Sequence, residues 1–476
     1  MKIPDEGLSK EEIFKLLDQI SSDDVDWSSG RVFGYVFDPG RDILRVAEQA
    51  LVRFYHKSGL DFTVYPSLLR MENDIVDFAI THLNGDENSA GSFTSGGTES
   101  IILAVKAARD YMRDKKKIRD PEMIVPETAH AAFHKAAHYL GVKLVQIPVN
   151  PETMKADPRA LKDAITRNTI LIVGSAPCYS HGVIDPIEEM SEIARKRGIL
   201  FHTDACMGGF ILPFMRELGY DVPPFDFSLP GVTSISMDLH KYAYSPKGAS
   251  VVLYRTKELR KYQYFACSKW TGYTMINTTV QSTKSGGPLA AAWATLNYVG
   301  KNMYLEFIRK KLKAVEKIVK FVENHPDLYL VTKPEMTLIA FSSETVNIFH
   351  IIDEVNSMGW YVQPALRFGN SGEHIHLSVN YSNVDRIDAF LEDLKVAVEN
   401  ARKLPSGTLL KKVKPVLSII KKFGLSGSTV YKLMKLSGIE KGKLPERFAP
   451  INEVLNELPP ELREELLIEF TNNIFR

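Results

Sequence analysis

The apolar positions of this chain change rhythm along its length. In "LSKEEIFKLLDQISS" near the start, Ile13, Leu16, Leu17 and Ile20 recur at helical spacing. That spacing predicts a short amphipathic helix that packs on a partner surface. Ser9 and Glu12 stand as a capping box would at its beginning. The next stretch, to about Leu60, is rich in glycine and aromatic residues and predicts loop mixed with helix. From about residue 90 the pattern alternates. Short apolar runs, "EMIVP", "KLVQIPV", "TILIVGSAP", "ILFHTDA", "SISMD" and "ASVVLYR", predict strands. Between the first of these lie "FTSGGTESIILAVKAARDYMRD", "AHAAFHKAAHYLG", "DPRALKDAI" and "IEEMSEIARKRG". These predict helices, with Gly141 and Gly198 as stops and Thr98 opening the first. Strands alternating with helices build parallel βαβ units with helices on both sheet faces. Reactive side chains in such sheets gather beyond the carboxyl ends of the strands.

A long helix is expected to start near Met303 and run through "LEFIRKKLKAVEKIVKFVEN". Then "TLIAFSS", "NIFHIIDEVNSMG", "WYVQPAL", "EHIHLSV" and "VDRIDAFLEDLKVAVENARK" read as strand, helix, strand, strand, helix, a smaller α/β domain. Beyond Leu404, "KKVKPVLSIIKKFGLSGSTVYKLMKLSG" is basic and amphipathic. A solvated helix face is the plainer reading of it, and partner docking or membrane contact the other. "PPELREELLIEF" predicts a last helix, with Pro459 and Pro460 at its start and Leu458, Leu462, Leu466 and Phe470 along one face. The boundaries expected are an N-terminal helical and extended segment (1–60), a large domain (61–300), a small α/β domain (301–403) and a helical extension (404–476).

Composition narrows the class. A chain of 476 residues, 44% hydrophobic and 25% charged, holds more than one folding unit. A net charge of +1 offers no general basic field for nucleic acid. Cys178, Cys206 and Cys267 are too scattered for a disulfide framework or a paired-cysteine zinc site, which fits a reducing, cytoplasmic setting. The start carries no apolar signal core, and no apolar run is long enough to span a bilayer, so a soluble protein is expected.

Four segments carry candidate chemistry. In "TSGGTES", Gly96 and Gly97 permit a tight turn into a helix whose free N–H groups favour a phosphate, with Ser95 and Thr98 as hydroxyl donors. It lacks the lysine of a nucleotide-binding P-loop, and alone it reads as an ordinary strand-to-helix turn. In "FHTDACMGG", Asp204 ends a strand; its carboxylate could pair with a protonated ring nitrogen, or merely cap a loop. "AHAAFHKAAHYLG" places His130, His134 and His138 at intervals of four. No acidic residue accompanies them at a metalloprotease position, so no metal is expected. His130 at the helix start suits stacking on a planar group, whereas His134 and His138 read as surface or satisfied core residues. Finally, "SMDLHKYAYSPKG" holds His240, Lys241 and Lys247 after a strand.

In this order, "TSGGTESIILAVKAARD", "HAAFHKAA", "HTDACMGGF" and "DLHKYAYSPKG" resemble the pyridoxal-phosphate-dependent decarboxylase family of fold type I, and within it the sphingosine-1-phosphate lyases. The resemblance runs from about Gly34 to Lys403. It implies an aspartate-aminotransferase-like fold, a large pyridoxal-phosphate domain with a mostly parallel sheet plus a smaller C-terminal α/β domain. It implies pyridoxal 5'-phosphate held as a Schiff base on Lys241. His240 and the Gly96–Gly97–Thr98 turn would contact the phosphate, Asp204 the pyridine nitrogen, and His130 the ring face. Lys247 would meet a substrate phosphate. A lysine near a second cation can have a lowered pKa, which would aid imine exchange. Family members are usually homodimers with shared sites, in which residues near Lys284 would serve the partner.

Three departures bear on the substrate. The family's "GAVY" reads "GYVF" here, so Phe37 lacks a hydroxyl. Its "NPLHPD" histidine is replaced by Asp61, which would repel a phosphate. Its Gly-Ser-Arg reads Ser282–Thr283–Lys284, a second anion contact without the bidentate fork. The expected activity is lyase cleavage of a β-hydroxy amine, phosphorylated or not, to an aldehyde and an amine. The alternatives are an amino-acid decarboxylase, in which Arg367 is available for the α-carboxylate, and a non-catalytic relative acting in binding or assembly.

Overall fold

The computed structural model describes residues 3–407, 410–411 and 447–475. Apart from Lys411, the basic stretch of the tail lies outside these residues. The core of the large unit is a seven-stranded sheet: β1 (Ala90–Thr94), β2 (Glu122–Pro126), β3 (Lys143–Ile147), β4 (Thr169–Ser175), β5 (Leu200–Asp204), β6 (Ser234–Asp238) and β7 (Ser250–Tyr254). Their order is β1-β7-β6-β5-β4-β2-β3. Neighbours from β3 to β6 pair in parallel, and β7 alone runs against its neighbours β6 and β1. β1, β2, β4, β6 and β7 are buried at every position. Covered on both faces, they read as continuous apolar runs rather than as an alternation.

A short hairpin follows, β8 (Phe265–Cys267) with β9 (Met275–Asn277). The small unit is an antiparallel sheet of β10 (Tyr329–Leu330), β11 (Leu338–Ser342), β13 (His374–Ser378) and β12 (Gln363–Ala365), in that spatial order. Helices Ile348–Ser357 and Ile387–Ala401 cover it. Phe33, from the N-terminal stretch, packs in this second core against Phe390 with ring centroids 4.6 Å apart. The Phe33 N–H donates to the Tyr361 carbonyl at 2.9 Å, so the N-terminal segment ties itself to the small unit.

Several elements differ from expectation. The long helix begins at Gly286, not near Met303, and is broken at Gly300, where φ is 63°. Periodicity after the break was legible; the small-residue stretch "GGPLAAAWATLNYVG" before it carried a weaker stripe. The glycine-turn helix opens at Gly97, one residue before Thr98. Helices Pro66–His82 and Ala449–Glu457 had not been anticipated. The N-terminal helix forms at Lys10–Ile20 with its capping box in place, yet none of its residues is buried. In the final helix, Pro460–Ile474, Leu466 is buried, as is Leu458 just ahead of it.

Candidate active site

Sheet register brings the distant segments together. The strand ends Ser175, Asp204 and Asp238 stand on one edge: Ser175 pairs with Asp204, and Asp204 with Ser236 two residues before Asp238. Asp238 and Thr94 both face Ser250 across β7, so the glycine turn after β1 lies over the end of β6. A Cβ on Gly97 would stand 2.8 Å from both carboxylate oxygens of Asp238 and 2.9 Å from Cys206 Sγ, so a side chain there would displace these buried groups. A Cβ on Gly96 would lie 3.7 Å from His240. The turn is held by Glu99, whose carboxylate accepts from Ser95 N at 2.6 Å and from Val280 N at 2.8 Å. Ser95 and Thr98 are exposed, and the first N–H groups of the helix have no partner within it.

Lys241 sits three residues past the end of β6, with Nζ 2.9 Å from Asp238 Oδ2. This corrects the expectation of a lowered lysine pKa. Burial pushes the Lys241 ammonium down, but the Asp238 carboxylate, with Asp204 adding to it, more than offsets that and the net shift is upward. Asp238 is only 2% exposed, and its Oδ1 has no hydrogen-bond partner. Burial raises its carboxyl and the Lys241 and His240 cations lower it further, leaving it below the usual range. Asp204, 7% exposed, accepts through Oδ1 from Cys206 N at 3.1 Å and Ser236 Oγ at 3.3 Å. His240 donates from Nδ1 to the Ala249 carbonyl at 2.7 Å, and burial lowers its pKa.

His130 lies between β2 and helix Ala132–Leu140, exposed, with Nδ1 accepting from Ala132 N at 3.1 Å. His134 and His138 lie on the exposed face of the helix, as the surface reading expects. Among the described residues no group of three metal-ligating side chains occurs. Lys247 donates to the Tyr35 carbonyl and lies 5.4 Å from the centroid of Phe37, whose ring meets Tyr242 edge-on. Desolvation, with Lys241 nearby, lowers its pKa to about 8. Within its own chain Lys284 contacts Glu72 at 3.1 Å and the Phe93 carbonyl at 3.2 Å. Asp61 is turned to its own loop, accepting from Thr63 N at 2.8 Å and Thr63 Oγ1 at 2.6 Å. Arg367 pairs with Glu373 and Glu457, each at 3.2 Å.

Two features escaped the sequence reading. Asp238 stands three residues before Lys241 in "DLHK", a spacing that signals a carboxylate partner once the lysine is suspected. Tyr179 follows the carboxyl end of β4, where the strand-end rule would have directed attention. It donates to Gln363 Oε1 from the small unit, and its ring is 4.3 Å from that of His376.

The residues fit a flat, phosphorylated aldehyde. A helix start with no side chain at Gly96 and Gly97, a buried carboxylate at Asp204 and an amine at Lys241 share one edge. Together with this sheet they define a pyridoxal-phosphate enzyme of the aspartate-aminotransferase-like class. The comparisons agree: the pyridoxal-dependent decarboxylase conserved domain matches residues 1–344, and the C-terminal putative HTH domain of pyridoxal-dependent enzymes matches 409–473. The chain belongs to the pyridoxal-dependent decarboxylase family and is a lyase that uses pyridoxal 5'-phosphate. It is 42% identical to the sphingosine-1-phosphate lyase of Arabidopsis thaliana over 85% of this chain and 74% of that one. It is 39% identical to sphingosine-1-phosphate lyase 1 of Rattus norvegicus, over 85% and 70%. Among solved structures, the Burkholderia pseudomallei sphingosine-1-phosphate lyase superposes with a TM-score of 0.81 at 34% identity, covering 87% of this chain and 96% of that one. Lactobacillus brevis glutamate decarboxylase shares the fold, with a TM-score of 0.76 at 18% identity over 85% and 96%. Among the described residues no helix is long and apolar enough to cross a membrane.

Proposed function

We propose that the chain cleaves the Cα–Cβ bond of a phosphorylated β-hydroxy amine, releasing an aldehyde and a phosphorylated amine. What carries this reading is the contrast in identity. It is 42% to a plant sphingosine-1-phosphate lyase and 34% to a bacterial one, against 18% to an amino-acid decarboxylase of the same fold. The competing decarboxylase reading needs a cation for an α-carboxylate, and Arg367 is engaged by Glu373 and Glu457.

In this reading Lys241 anchors the cofactor covalently, and the Gly96–Gly97–Thr98 helix start with His240 holds its phosphate. Asp204 keeps a proton on the ring nitrogen, and His130 covers the ring face. The cofactor supplies an electron sink for the pair left on Cα when a bond there breaks. Lys247 takes the substrate phosphate, and Lys284 of a second copy is the other cation for it; Phe37 lacks a hydroxyl and Asp61 faces its own loop.

Incubation with sphingosine phosphate and with a panel of amino acids is expected to yield fatty aldehyde from the first and no carbon dioxide from the second. Carbon dioxide without aldehyde would overturn the reading. The same assay tests Lys247. Its ammonium is charged below about pH 8 and neutral above. KM for the phosphorylated substrate should therefore climb above that pH, by up to about tenfold per unit. A flat KM to pH 10 removes Lys247 from the role.

We also propose that two copies assemble, in the cytoplasm. Ile13, Phe14, Leu17, Phe62, Val64 and Trp270 are exposed apolar side chains of the kind an interface covers. The free thiols Cys178, Cys206 and Cys267 suit a reducing compartment. A monomer mass by light scattering, or recovery from an oxidising compartment, would defeat the respective half of this proposal.

A further inference from the structure

We propose that Arg367 and Asn456 are positioning residues through which the C-terminal extension holds the rim of the active site, an inference that rests on the site reading above. The hinge of the proposal is the hairpin between β12 and β13. It is closed by mutual hydrogen bonds of 2.9 Å between Phe368 and Ser371. One side of the hairpin grips the rim. Asn370 N donates to Glu127 Oε1 at 2.9 Å, and Asn370 Nδ2 to the Val149 carbonyl at 2.8 Å. Ser371 Oγ and His181 Nε2 are hydrogen-bonded at 2.9 Å. A side chain at Gly369, where φ is 55°, would overlap the Glu127 carboxylate, so the approach is close. Glu127 lies three residues before His130, and His181 two after Tyr179. Both loops leave their strands at the edge that carries Asp204 and Lys241.

The other side of the hairpin is held by the extension. Arg367 N donates to Asn456 Oδ1 at 2.8 Å, and the guanidinium reaches Glu457 at 3.2 Å. Asn456 is 5% exposed, so this bond is sheltered from water. Its helix, Ala449–Glu457, is clamped to the small unit at its start. Asp353 accepts from Phe448 N at 3.0 Å and Ala449 N at 2.8 Å, and Arg447 pairs with Glu354 at 2.7 Å. Glu453 accepts from Asn347 at 2.7 Å.

A hairpin with glycines at 369 and 372 has little stiffness of its own. Its position is therefore set by the contacts on its two sides. The path from the extension to the rim is contiguous: a hydrogen bond and an ion pair at the extension and hydrogen bonds at the rim, joined by the hairpin backbone from Arg367 to Ser371. Loosening the bond at Asn456 leaves the hairpin held mainly from the rim side, so that it and the loops that carry His130 and Tyr179 shift more readily. Arg367 thus serves the site without touching the substrate.

The test uses the full-length holoenzyme. In Asn456→Ala, amide exchange at Arg367 and Asn370 should quicken by about tenfold or more, with the glycine-turn helix Gly97–Lys116 unchanged. kcat/KM should fall about five- to tenfold. Ser371→Ala, which leaves the extension intact, should lower kcat/KM from the rim side. The double variant should lose less than the product of the two single losses, because both act through one hairpin. Hairpin exchange that stays at the wild-type rate overturns the proposal. So does faster exchange with unchanged kcat/KM, or two losses that multiply independently. The exchange measurement needs no substrate. Wild-type enzyme that releases no aldehyde would therefore refute the substrate reading and leave this result standing apart from it.

Discussion

Lys241→Ala is expected to lower kcat by more than about 10⁴-fold, on the scale seen when a covalent catalytic group is removed. The yellow absorbance of the holoenzyme and the adduct trapped by borohydride should vanish with it. Lys241 is the amine placed beside both Asp204 and the glycine turn, and Lys247, six residues on, is turned toward the Tyr35 carbonyl. Alanine also strips the buried Asp238 carboxylate of its 2.9 Å partner, so the variant risks lower stability. Lys241→Arg separates the two effects. Arginine keeps a cation beside Asp238 but cannot make the covalent link, so it should melt near wild type and be as inactive as alanine. Turnover or a trapped adduct in either variant would sink the assignment.

Asp204→Asn is expected to cost about 10²- to 10³-fold in kcat, the range for loss of one preorganised electrostatic partner. KM should change little if, as proposed, the carboxylate acts on the ring nitrogen rather than on the substrate. Asn retains an oxygen for the hydrogen bonds from Cys206 N and Ser236 Oγ, so the strand end should keep its shape. What it loses is the negative charge that favours a proton on the nitrogen. The absorbance band of the bound cofactor should shift accordingly. A variant with wild-type kcat and an unshifted band would show that Asp204 does no more than close its loop.

Much of the fold was legible from residue order. The β6 strand "SISMD" lies where its apolar run predicted, as do "EMIVP" and the helix stop at Gly141, because local periodicity and the left-handed tolerance of glycine act within a few residues. The long helix was harder to place. The break at Gly300 separates a strongly patterned half from a small-residue half whose burial comes from packing on helix Arg41–Phe54. The docking of Phe33 in the small unit left no local sign, since that contact joins residues more than three hundred positions apart.

The candidate site divides the same way. The family resemblance of the four motifs implied that Lys241, Asp204, His130 and the glycine turn belong to one constellation; taken singly, none of the motifs did. Sequence could not say that Asp238 holds the Lys241 ammonium, nor that Arg367 faces Glu457 rather than a substrate. Charge on a side chain depends on what the fold sets within a few ångströms of it, and those neighbours come from other elements. The residues themselves determined the class of chemistry and the parallel sheet that carries it; the tertiary structure alone decided which charges meet, because pairing distances are set by strand register and by the docking of the two units.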